Sequence, residues 1–214
     1  MERNPEKYIS LLVERYPKLA ACSRSMYEAY EAMKECYKNG GKAIIAGNGG
    51  SAADAQHIAG ELMKRCRMPR AISREFSGRL IAADEHRGRF LAESLECPLT
   101  AIPLASQEAL TTAYINDVGA VGVFAQQLFG YGRKGDVFLG VSTSGNAENI
   151  LHAAVVAKAM GITVIALTGG CKGELERFAD IVIAVPDTET YRIQEMHLPV
   201  YHCLCMMLEE YFFK

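Results

Sequence analysis

The chain has no run of about 18 apolar residues, and its charged start, MERNPEKYISLLVERY, lacks the uninterrupted apolar stretch of a signal peptide. These absences argue against a helical membrane span and predict a cytosolic protein. There is no excess of positive charge either. The 23 Lys and Arg are scattered among 25 Asp and Glu, and the net charge of −2 leaves no basic field for tracking nucleic acid. The seven cysteines include no CxxC pair and no regular spacing, which argues against a disulfide framework or a cysteine zinc site. Most of them read as small core residues in a reducing compartment, with metal binding by Cys203 and Cys205 as the minor alternative. A nucleotide P-loop, GxxxxGK[ST], is missing, and no tandem repeat or low-complexity linker divides the 214 residues. The length suits a single domain spanning 1–214.

What is present is alternation. Residues 5–38 carry Ile9, Leu12, Tyr16, Leu19, Met26, Met33 and Tyr37 at three- and four-residue steps interrupted at Pro17, which predicts an N-terminal helical arm over about 1–40. Such an arm is suited to packing on another subunit. KAIIAG (42–47), LTAIPL (99–104), GDVFLGV (135–141), ITVIAL (162–167) and ADIVIAV (179–185) are short apolar runs rich in β-branched residues, with helix-like segments between most of them. Alternating strands and helices imply an α/β fold with a parallel sheet covered on both faces. A last helix spans about 189–213, with His197, Tyr201 and Leu208 among its apolar positions. Residues 66–97 break the rhythm with many charges. They predict a surface excursion with one or two short helices, or else a lid that carries Arg67, Arg70 or Arg74 to an anionic ligand.

Two loops are shaped for an anion. GNGGSA (47–52) lies where a strand ends and a helix begins, so free amides and the helix dipole favour phosphate, and glycine removes bulk that would block contact. Gly47, Gly49 and Ala52 also fit the dinucleotide pattern GxGxxA, but the second strand and its ribose-binding acid do not follow at the required distance. VSTSGNAEN (141–149) again follows a strand, and Ser142, Thr143 and Ser144 offer hydroxyls beside backbone amides; one of its polar residues is expected to cap the next helix. If the strand order is the flavodoxin-like 2-1-3-4-5, both loops meet at the topological switch point. YINDVG (114–119) offers Asn116 and Asp117 as a third wall for sugar hydroxyls, or as a plain turn.

His57 and Glu61, four residues apart, share a helix face. In IQEMHLPVYH, Gln194 and His202 fall roughly on one side of the final helix. Drawn together, His57, Glu61, Gln194 and His202 would offer nitrogen and oxygen ligands for zinc or another borderline divalent cation. A metal there would polarise a carbonyl while a carboxylate moved a proton, as aldose–ketose interconversion requires.

GNGGSAADAQH, STSGN and IQEMH…H, in that order across most of residues 5–213, resemble the sugar isomerase (SIS) domain family, and within it the phosphoheptose isomerases. The resemblance implies a flavodoxin-like three-layer αβα sandwich with a five-stranded parallel sheet, a homotetramer with active sites between subunits, and zinc. By analogy, His57, Glu61, Gln194 and His202 would hold the metal. Glu61 and His202 would be the acid/base pair. Asn48, Gly49, Gly50, Ser51, Asn116, Asp117, Ser142, Thr143 and Ser144 would line the sugar phosphate together with Glu61 and Gln194.

Two departures stand out. Ala147 occupies a position where these enzymes commonly have a second serine, and the 66–97 insertion is longer than usual. The expected function is isomerisation of sedoheptulose 7-phosphate through an enediol. The alternatives are another phosphosugar, or a non-catalytic SIS module that binds sugar phosphate or serves as an oligomeric partner.

Overall fold

The computed structural model describes residues 4–214, so the first three residues of the expected helical arm lie outside the described residues. The five apolar runs form strands β1 (Ala43–Gly47), β2 (Ala101–Pro103), β3 (Val137–Val141), β4 (Thr163–Thr168) and β5 (Ile181–Ala184). They pair in parallel in the order β2-β1-β3-β4-β5, the flavodoxin-like order. All residues of β1 and β3 are buried because helices cover both faces. Successive side chains point to opposite faces, so Ile45, Leu139 and Ile165 enter one core cluster while Ile44, Phe138 and Val164 enter the other.

The helices are α1 (Glu6–Arg15), α2 (Ser23–Lys38), α3 (Gly50–Met63), α4 (Arg74–Ala83), α5 (Glu85–Ser94), α6 (Glu108–Asp117), α7 (Val123–Tyr131), α8 (Glu148–Ala159) and α9 (Thr190–Phe213). Pro17 opens a 3-10 turn, Pro17–Cys22, that separates α1 from α2, as its ring demands. Helices α1, α2, α3 and α9 build the core on one face of the sheet, and α7 and α8 cover the other. Among the described residues no helix is long and apolar enough to cross a membrane.

The charged excursion contains the α4–α5 hairpin, capped by Ser73, whose hydroxyl accepts from the Phe76 amide at 3.1 Å, and by Asp84, whose carboxylate accepts from Arg87 at 2.7 Å. Its base is tied to α9 by the buried carboxylate of Glu209, which accepts from the amides of Cys66, Arg67 and Met68 at 2.8, 2.9 and 3.1 Å. Arg70 corrects an expectation. It is fully buried, donates to Glu209 at 2.9 Å and to the carbonyls of Leu62 and Glu61 at 2.7 and 3.1 Å, and lies over the Phe213 ring. It caps the end of α3, and a guanidinium so fully bonded is not available to a lid.

Candidate active site

Parallel strands with the order changing at β1 and β3 leave a crevice between the loops that follow them. Gly49 turns the first loop with φ +54°, a left-handed conformation open to glycine at no steric cost, and serves as the N-cap of α3. At Gly50 a Cβ would stand 2.6 Å from Nε2 of Gln194, so the missing side chain is what lets α9 bring that amide over the loop. Asn48, Gly49, Gly50 and Ser51 then form one wall of a cavity of about 330 Å³, and Ser142, Thr143 and Ser144 form another. Thr190 and Gln194, from the first two turns of α9, close it. Thr190 was not anticipated, because its hydroxyl belongs to the cavity only through the placement of α9.

The residue at the N-cap of α8 is Ala147, which makes no side-chain cap bond, so the expectation that a polar residue of this loop caps α8 is corrected. Asn146 instead folds the loop on itself, its amide bonding Ser144 Oγ at 3.2 Å and its carboxamide oxygen accepting from Glu174 at 2.9 Å. The hydroxyls of Ser142 and Thr143 are left to the cavity. Asn48 and Asn149 exchange two carboxamide hydrogen bonds between the loops. Asn116 and Asp117 lie at the end of α6, bonded to each other at 2.8 Å and exposed, away from the lining of this cavity.

Beyond Gln194 the two helices bring a second set together. Packing of α3 on α9 places His57 Nε2 3.5 Å from Glu61 Oε1 and 3.4 Å from His202 Nε2. One ligand atom from each of these three residues lies within 4.8 Å of the others. Two imidazoles and a carboxylate at this spacing fit a borderline divalent cation such as zinc. Burial, then the neighbouring His57, holds His202 below its ordinary pKa, which leaves a neutral imidazole with a lone pair to offer. Gln194, two turns earlier on α9, has its amide against Gly50 and stands with the loop cavity.

Three neighbours of the cluster were not legible in the sequence. The Tyr201 hydroxyl lies 2.9 Å from His57 Nδ1 and donates to Asp54 at 3.3 Å. Burial, followed by the neighbouring Glu61 carboxylate, pushes the Cys66 thiol up to about 12. His197, between Gln194 and His202 in sequence, points elsewhere: it is fully buried, with Nε2 3.2 Å from the Thr168 carbonyl, and burial pushes it down to about 4. Cys203 and Cys205 are buried thiols raised by burial, as core residues are. His202 also lines a groove of about 380 Å³ between α1 and α9, together with Arg15 and Arg67.

The SIS domain family model matches residues 87–169. A phosphoheptose isomerase of Rhodospirillum rubrum is 35% identical over 98% of this chain and 98% of its own length. One from Dechloromonas aromatica is 43% identical over 83% of this chain and 79% of its own. The solved structure of a phosphoheptose isomerase from Francisella tularensis is similar with a TM-score of 0.75 at 32% identity, covering 94% of each chain. With the parallel sheet, the paired anion loops and the His/Glu/His cluster in place, the chain belongs to the phosphoheptose isomerase family of SIS-domain proteins.

Proposed function

We propose that this chain interconverts sedoheptulose 7-phosphate and D-glycero-D-manno-heptose 7-phosphate through a cis-enediol. The observation that carries the reading is the juxtaposition on α3 and α9 of a two-loop anion cavity and the His57, Glu61 and His202 cluster. The phosphate would lie among the amides of Gly49 and Gly50 and the hydroxyls of Ser51, Ser142, Thr143 and Ser144, held by neutral bonds at a helix start. Thr190 supplies a hydroxyl in the cavity that Ala147 also lines. One of Glu61 and His202 removes the proton from the carbon beside the carbonyl and returns it to the neighbouring carbon, and the other moves a proton between the oxygens. A zinc ion held by His57, Glu61, Gln194 and His202 would supply Lewis-acid stabilisation of the enediolate.

The working unit in this proposal is a homotetramer with active sites between subunits. Support comes from α6, which buries none of its residues and leaves Leu110, Ile115 and the adjacent Val118 exposed. In such an assembly Asn116 and Asp117 would line a neighbouring subunit's cavity. The seven free cysteines suit a reducing compartment, the cytosol.

The test is sedoheptulose 7-phosphate turnover by purified protein, followed as aldose formation with zinc and after chelation. Metal-dependent turnover is the expected outcome. Binding of sugar phosphate with no turnover under any divalent metal would overturn the enzyme in favour of a binding module. Turnover of pentose or hexose phosphates alone would overturn the choice of sugar.

A further inference from the structure

The His57 ring is held from behind. Tyr201 immediately precedes the cluster's His202 on α9, is 1% exposed, and places its hydroxyl 2.9 Å from His57 Nδ1. Its ring meets those of His57 and His202 with centroids 5.4 and 5.0 Å apart. The same hydroxyl lies 3.3 Å from Oδ1 of Asp54, one turn before His57 on α3. An ionised carboxylate can only accept, so the single phenolic proton goes to Asp54 and the phenolic oxygen faces Nδ1 with a lone pair. That arrangement calls for the imidazole proton on Nδ1, with Nε2 free on the side of Glu61 and His202.

We propose that Asp54 and Tyr201 are positioning residues that set the His57 tautomer and ring orientation, presenting Nε2 to a divalent cation at the cluster. The inference rests on the metal reading above and goes beyond it by assigning the groups that prepare one ligand before any cation arrives. Outer partners of this kind typically contribute about 10–100-fold in metal affinity.

The experiment compares metal-free wild type with Tyr201→Phe, Asp54→Ala and the double variant, using zinc alone as the probe in competition with a chromophoric chelator. Tyr201→Phe keeps the buried ring and removes only the hydroxyl, and is expected to weaken zinc binding about 10–100-fold. Asp54→Ala is expected to weaken it in the same direction. The double variant should be no worse than Tyr201→Phe, since Asp54 acts through the tyrosine.

Nitrogen-15 NMR of the metal-free protein supplies a readout that mere packing would not move. Wild-type His57 should be protonated on Nδ1, and Tyr201→Phe should lose that preference. If the first variant fails to fold, Asp54→Ala carries the same two measurements. Unchanged zinc affinity and tautomer in both single variants, with binding lost in His202→Ala, would overturn the relay and leave the metal site standing. Zinc binding indifferent to both His57→Ala and His202→Ala would overturn the metal reading, and the relay with it.

Discussion

Asn48 and Asn149 join the two anion loops: each carboxamide donates to the other's oxygen at 2.9 Å, although 101 residues separate them in the chain. The pair couples the start of α3 to the first turn of α8, so the loops' amides and hydroxyls are held as one cavity. Asn149→Ala removes both bonds from an exposed pair, and the net stability loss should stay near 1 kcal/mol. The expected effect falls on binding. KM for the sugar phosphate should rise about 3–10-fold with kcat nearly unchanged, the mark of lost uniform binding. Equal KM in steady-state kinetics would show that the loops hold their shape without the pair.

Glu61→Gln preserves size and removes the carboxylate proposed for the acid/base pair. Turnover should fall about 100-fold or more, the ordinary contribution of a positioned acid or base. Inorganic phosphate should protect the variant and the wild type alike against thermal unfolding. Wild-type turnover would remove Glu61 from the proton transfer.

Gly50→Ala would put a methyl 2.6 Å from Nε2 of Gln194. The amide must swing away, since the end of a glutamine moves more cheaply than backbone. Zinc affinity and KM are expected to worsen together while the melting temperature shifts by only a few degrees. A variant with both unchanged would remove Gln194 from the site.

Glu209→Ala would strand the Arg70 guanidinium in the core and release the amides of Cys66, Arg67 and Met68. Breaking one side of a buried pair costs about 3–5 kcal/mol. Denaturant unfolding should report a loss of that size, and a loss below 1 kcal/mol would show that the excursion is held elsewhere.

His197 gives stability a pH dependence. Its pKa falls from 6.5 to about 4 on folding, so the unfolded chain binds the extra proton between those values. The contribution is complete above pH 6.5 and is lost as pH falls toward 4, about 3 kcal/mol in all. Glu210 acts in a lower window. Burial raises its carboxyl, but Lys214, Lys7, the Asn4 amide and Tyr8 together hold it down at about 2, so its contribution is present above 4.5 and lost below. Unfolding free energies measured from pH 7.5 to 4.5 should decline in wild type and decline less in His197→Gln. Parallel curves would assign the decline to other groups.

Much of the chain was legible because its rules are local. Apolar runs of six or seven residues marked the strands, Pro17 marked the break in the arm, and the glycines after β1 marked the first loop. His57 and Glu61 could be paired because four residues bring a helix back to the same face.

Tertiary structure decided what lies across elements. The rotation of α9 against α3 brings His202 to His57, turns His197 into the core and aims the hydroxyl of Tyr201, whose apolar helix position predicted only burial. The same packing makes Arg70 a buried cap in place of a lid residue and adds Asn149 and Thr190 to the cavity region. Backbone periodicity sets the face on which a side chain stands. Which neighbour it meets depends on helix crossing and strand order, which are set by contacts among residues far apart in the chain.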